Sequence, residues 1–106
     1  MRGMEFEELP AFTRQIGALM EDDEFGDLQA ALAARPEAGK LIPQSGGLRK
    51  LRWAGQGRGK RGGLRVIYYW WVGEHLISLL AIYAKSRKDD LSAAELKILR
   101  QAIGKK

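Results

Sequence analysis

The chain has no cysteine and a single histidine, His75. Without thiols there is neither a disulfide framework nor a thiolate metal site, and one imidazole cannot build a histidine-rich metal cluster, so any catalysis is expected to need no metal and no cofactor. Long apolar runs are missing as well: none reaches the roughly 18 residues of a membrane-spanning helix. Met1 to Glu8 are acidic where a secretory signal would be basic and then apolar. A cytoplasmic protein with no membrane partner is the expectation. Acidic residues are nearly absent from the middle of the chain. Residues 41–88 hold ten Lys/Arg against one acid, a balance of +9, whereas residues 1–40 hold four against nine, a balance of −5. Residues 89–106 add four against three. Within one domain such an asymmetry projects as a positive face backed by a negative one, the electrostatic footprint of a nucleic-acid binder.

What is present is a soluble globular composition, 45% apolar and 29% charged over 106 residues, and a length that fits a single domain spanning 1–106. Leu9, Phe12, Ile16, Leu19 and Met20 recur on one face of a helix from about Pro10 to Met20, with proline tolerated in the first turn. Asp22 and Asp23 offer an N-cap and first-turn charge for a second helix, carried by Phe25, Leu28 and Leu32 and stopped by Pro36. The two adjacent helices form a hairpin. Glu5 to Glu8 reads as a short strand or a lead-in, and Gly39 to Gly47 as loop. From there the period becomes two. Leu48 to Trp53 is a strand with Leu48, Lys50 and Arg52 on one side and Arg49, Leu51 and Trp53 on the other. Leu64 to Val72 and Leu76 to Ala84 are apolar on both sides, hence central, and the short Gly73-Glu74-His75 connection makes them an antiparallel hairpin. Ser92-Ala93-Ala94-Glu95 is a capping box, flanked by Leu91 and Leu96 at the staple positions, so a final helix begins here with Leu96, Leu99 and Ile103 on its apolar face. The fold class is α+β.

Between the first two long strands, Gly55 to Gly63 interleaves five glycines with Arg58, Lys60 and Arg61, so that backbone N–H groups and cations can approach a polyanion closely. The formal G-x-G-x-x-G at Gly57 to Gly62 leads into a strand rather than a helix, and Lys60 is followed by Arg61 rather than Ser or Thr; neither a dinucleotide fold nor a Walker loop fits. Antiparallel pairing then gathers Lys50, Arg52, Arg65 and Lys85, followed by Arg87 and Lys88, at one end of the sheet. Of the nine aromatics, Tyr69 and Trp71 share the Arg65 face and Tyr68 and Trp70 the opposite one, so at most one set can meet nucleic acid. His75, in the far turn, is a solvated side chain rather than a catalyst. Asp89 and Asp90 border the basic end and read as dipole or capping partners of the final helix.

The run Gly47-Leu48-Arg49-Lys50-Leu51-Arg52, the segment Gly57-Arg58-Gly59-Lys60-Arg61-Gly62-Gly63-Leu64-Arg65-Val66-Ile67-Tyr68-Tyr69 and the stretch Ile82-Tyr83-Ala84-Lys85 resemble the HigB branch of the RelE/ParE toxin superfamily, over nearly the whole chain. The resemblance implies a RelE-like, microbial-RNase-type fold: an N-terminal helical hairpin, an antiparallel sheet of three to four strands and a C-terminal helix. It implies a toxin of a type II toxin-antitoxin system, silenced by a cognate antitoxin, that enters the ribosomal A site against ribosomal RNA and cuts mRNA. Cations on the first main strand and an arginine opening the next, here Lys50, Arg52 and Arg65, would polarise the scissile phosphate while the RNA 2′-hydroxyl attacks it. Arginine holds its proton too tightly to act as a base, which leaves Lys50, Lys60 or Lys85 for proton transfer. The implied catalytic set is Lys50, Arg52, Lys60, Arg65 and Lys85, with Arg49, Arg58, Arg61, Arg87 and Lys88 binding RNA and ribosome. Ser86 stands where RelE carries an arginine, and the final helix has no tyrosine or histidine; Arg87 and Tyr83 are the substitutes at hand. A ParE-like DNA gyrase inhibitor and a non-catalytic RNA-binding module are the alternatives.

Overall fold

The computed structural model describes residues 3–54, 63–88 and 90–104. Two helices come first after a short strand: β1 (Glu5–Glu8), α1 (Pro10–Leu19) and α2 (Asp22–Ala34). The remaining elements are β2 (Lys40–Leu41), β3 (Arg49–Trp53), β4 (Leu64–Trp71), β5 (Leu76–Ala84) and α3 (Ala93–Ile103). Among the described residues no helix is long and apolar enough to cross a membrane.

The helical hairpin, the three long strands and the final helix stand where hydrophobic periodicity places them. Pro10 occupies the first turn of α1, where its missing N–H costs nothing. At α2 the cap is Glu21, with Asp22, Asp23 and Glu24 in the first turn; the aspartates serve as first-turn charge and not as the N-cap. Ser92 caps α3 through a complete capping box. Its hydroxyl accepts from the Glu95 N–H at 3.1 Å, and the Glu95 carboxylate accepts from the Ser92 N–H at 2.8 Å.

The sheet is larger than expected, and mixed. Among the described residues its order is β1-β5-β4-β3-β2, five strands, with β1 parallel to β5 and the other pairings antiparallel. The expected loop from Gly39 to Gly47 therefore contains the two-residue edge strand β2. β1 covers the outer edge of β5 only as far as Leu79. Beyond it, the N–H of Ile82 donates to the side-chain oxygen of Gln15 on α1 at 3.2 Å, so a helix seals the edge that a strand leaves open. A bulge between Ile67 and Tyr68 inserts Leu80 into β5, turning both Leu80 and Ala81 to one face.

Alternation sorts the core into two layers. Val66, Tyr68, Ile77, Leu79 and Ile82 join Phe12, Leu28 and Leu32 on the helical-hairpin face. Leu48, Ile67, Leu80, Ala81 and Ile103 pack on the other, with Leu96 and Leu99 of α3. The basic site forms on the α3 face, beside this second layer.

Candidate active site

Strand register assembles the site. Lys50 lies opposite Ile67, Arg52 opposite Arg65, and Arg65 opposite Tyr83, so Lys50, Arg52, Arg65 and Tyr83 occupy one face of three neighbouring strands. Two arginines directly across from each other repel. A sheet keeps such a pair when another charge compensates or a function requires it. Arg65 is only 5% exposed, with its Nη1 donating to the Leu64 carbonyl at 3.3 Å, whereas Arg52 is exposed. The two guanidiniums thus sit at different depths.

The compensating charge comes from Asp90. Its carboxylate forms a hydrogen-bonded ion pair with the Lys50 ammonium. Its pKa lies below the ordinary aspartate range, chiefly through that hydrogen bond and the Lys50 charge, and further through Arg65 and Arg52. Asp90 is therefore a partner of the basic strands, not a cap of α3 as its sequence position suggests. The capping box already satisfies that helix, and this is the signal in the sequence that points elsewhere. Asp89 lies outside the described residues. Beside the pair opens a cleft of about 230 Å³ lined by Lys50, Tyr83, Asp90, Ile67, Leu91 and Leu96. The two leucines of the hydrophobic staple thus form one wall, and the staple that starts α3 also shapes the cleft.

The other proposed residues fall in three groups. Lys85 and Arg87 follow β5 in an exposed turn, and the Lys85 N–H donates to the Gly63 carbonyl at 3.0 Å, which brings Lys85 to the end of the sheet where Arg65 begins. Lys88 comes from the same turn and is ion-paired to Glu95 of α3. Arg49 points the opposite way: its Nη1 donates to the carbonyls of Glu37 and Gly39 at 3.2 and 2.8 Å, on the helical-hairpin side. The structure does not bring it together with Lys50 and Arg52. Arg58, Lys60 and Arg61 lie outside the described residues.

Among the aromatics the opposite-face set is structural. Tyr68 is fully buried, and Trp53 donates its indole N–H to Glu24 at 2.9 Å. On the site face, Tyr69 and Trp71 meet edge to face at 4.7 Å, and Arg100 lies 5.0 Å over the Tyr69 ring. Tyr69 is thus engaged with α3, while Trp71 packs on Tyr69 and donates its indole N–H to the Ser78 hydroxyl at 2.8 Å. Tyr83, half-buried in the cleft wall, is the aromatic placed beside the cations, a position that sequence alternation alone does not single out. His75 is exposed in the far turn with left-handed backbone, φ 52°, at the opposite end of the strands from Arg65 and Lys85.

Comparison with known proteins agrees with this architecture. A structure of the E. coli toxin RelE, a double arginine-to-alanine mutant in the free state, superposes with a TM-score of 0.61 over 94% of this chain and 99% of that one, at 8% sequence identity. That likeness shows a shared fold. The family model described as the RelE toxin of the RelE/RelB toxin-antitoxin system matches residues 14–106, and the chain therefore belongs to the RelE toxin family.

Proposed function

We propose that this protein is a ribosome-dependent, metal-free mRNA endonuclease of the HigB branch, acting in the cytoplasm and silenced by its cognate antitoxin. The observation that carries the reading is the convergence of Lys50, Arg52 and Arg65 on one sheet face beside an open cleft with Tyr83 in its wall. Attack of a 2′-hydroxyl on the adjacent phosphate builds negative charge on a crowded phosphorane. Fixed cations in a partly dehydrated cleft stabilise that charge without reorganising. In this scheme Arg52 meets the phosphate from the accessible side, Lys50 from the cleft wall, and Arg65 adds its charge from beneath. Proton transfer falls to Lys50, Lys60 or Lys85, with Tyr83 or Arg87 at the leaving oxygen. Arg87 and Lys88 extend the basic surface toward ribosomal RNA, and Arg58 and Arg61 add their charge to its binding. Arg49, tied to the carbonyls of Glu37 and Gly39, contributes there through its charge alone.

The decisive experiment adds the protein to a purified translation system and maps transcript ends. Cuts that appear only on translated message support the proposal. Gyrase-linked DNA breaks in place of RNA cuts would move the protein to the ParE mode of action, and RNA binding with no cuts would leave a binding module.

Association with the ribosome is expected to be strongly salt-dependent, because each neutralised phosphate releases counterions. With about four phosphate contacts and a slope of roughly −0.7 per contact, affinity falls at least tenfold between about 50 and 200 mM salt. Sedimentation with ribosomes across that range measures it, and salt-insensitive binding would point to an apolar protein contact in place of RNA.

A further inference from the structure

Asp90 is an acid set among the cations of a face whose chemistry, on the reading above, calls for positive charge. Nothing in the local helix requires it, since Ser92 and Glu95 complete the cap between themselves. Among the described residues, Asp90 and the two that follow it lie outside helix and strand, and the Asp90 side chain is 66% exposed while that of Lys50 is only 20% exposed. The carboxylate therefore reaches from an open position onto a lysine whose side chain is largely covered. Lys50, Arg65 and Arg52 all act on it electrostatically. Two oxygens sharing one negative charge, held among these cations at the mouth of the cleft, reproduce the non-bridging oxygens of a phosphodiester.

We infer that the Asp90 carboxylate is an internal stand-in for an RNA phosphate: it occupies the anion position at Lys50 in the resting protein and gives way when RNA enters. Asp90 is then a positioning residue. It fixes the Lys50 side chain where the phosphate will need it and offsets the repulsion between Arg52 and Arg65. The same contact makes RNA compete for the site, which lowers affinity. The inference rests on the nuclease reading only in naming RNA as the incoming anion.

The test uses the full chain and a short 2′-O-methylated RNA, which cannot be cut by its own 2′-hydroxyl, with binding followed by fluorescence anisotropy at low salt. Asp90→Asn removes the competing charge at nearly constant shape, and binding is expected to tighten roughly three- to tenfold. Glu74→Gln removes an equal charge from an exposed acid in the turn between β4 and β5, at the opposite end of those strands from Lys85, and should change binding by less than about twofold, the share due to general charge alone. In a Lys50→Met background the gain from Asp90→Asn should collapse to that same level, since the two groups act through each other. On programmed ribosomes, Asp90→Asn should reach half-maximal cutting at lower protein concentration. Three results would overturn the inference: unchanged RNA affinity for Asp90→Asn, a gain that persists undiminished without Lys50, or complete loss of single-turnover cutting by a well-folded Asp90→Asn protein, which would make Asp90 a proton-transfer group. Failure of the nuclease reading is a separate outcome, because the altered oligonucleotide affinity would then remain while translated message stays intact.

Discussion

Arg65→Ala is expected to lower single-turnover cleavage of a programmed ribosome by about 10²–10³-fold, the loss typical of removing one preorganised group that stabilises transition-state charge. Arg65 opens β4 between Arg52 and Tyr83, so its charge acts on the anion position from within the sheet, where water screens it least. Ribosome association should fall far less, because one cation is a small share of a many-contact basic surface. Arg65 is buried, however, and alanine also removes packing made by its stem. Arg65→Lys separates the two effects. It keeps the charge and most of the volume but loses the planar fork, and is expected to melt within a few degrees of the parent while still cutting at least about tenfold more slowly. Lys50→Ala and Lys85→Ala should also slow cutting, the larger loss and an altered pH profile marking the proton-transfer residue. His75→Ala should be nearly silent. Each variant is followed by single-turnover kinetics, a thermal melt and ribosome sedimentation. A fully active Arg65→Ala protein would remove Arg65 from the site.

Period-two alternation is enough to place Lys50, Arg52 and Arg65 on one face, because β3 and β4 keep strict register over the stretch that carries them. The same alternation puts Arg49 on the other side, and its hydrogen bonds to Glu37 and Gly39 agree; only its charge groups it with the RNA-binding residues. The start of α3 is legible because a capping box and a staple are local signals. Non-local pairings are not. β2 is two residues long, too short to display a period, and β1 finds a parallel partner some seventy residues away, which nothing in Glu5 to Glu8 announces. The bulge at Leu80 is hidden because β5 is apolar on both faces, so an inserted residue breaks no pattern. Asp90 eludes local reading for a related reason: its partner, Lys50, lies forty residues back.

Gly39→Ala should destabilise the fold by about 2–4 kcal/mol, combining overpacking of a filled site with broken buried hydrogen bonds. A Cβ at Gly39 would stand 2.7 Å from Cε1 and 2.9 Å from the hydroxyl of Tyr68, and 3.1 Å from the backbone of Lys50. Tyr68 cannot yield, because its ring is fully buried in the helical-hairpin layer. Its hydroxyl accepts from the Gly39 N–H at 2.8 Å and donates to the Pro36 carbonyl at 2.7 Å. The backbone of residue 39 would have to retreat, breaking the Gly39 N–H bond to Tyr68 and the Arg49 contact to the Gly39 carbonyl. Because β2 pairs with β3 through Lys40 opposite Lys50, the displacement also reaches the strand that presents Lys50 to the cleft. A fall in Tm of roughly 10–20 °C is expected, together with slower cutting by whatever fraction remains folded. Gly26→Ala supplies the contrast. Gly26 lies within α2, is exposed, and a methyl group there would have nothing within 4 Å, so alanine should raise stability by about 0.5–1 kcal/mol through helix propensity and a less flexible unfolded chain. Chemical denaturation of the two variants beside the parent measures both signs, and a Gly39→Ala protein as stable as the parent would show that the Tyr68 contact to this loop is not what anchors β2.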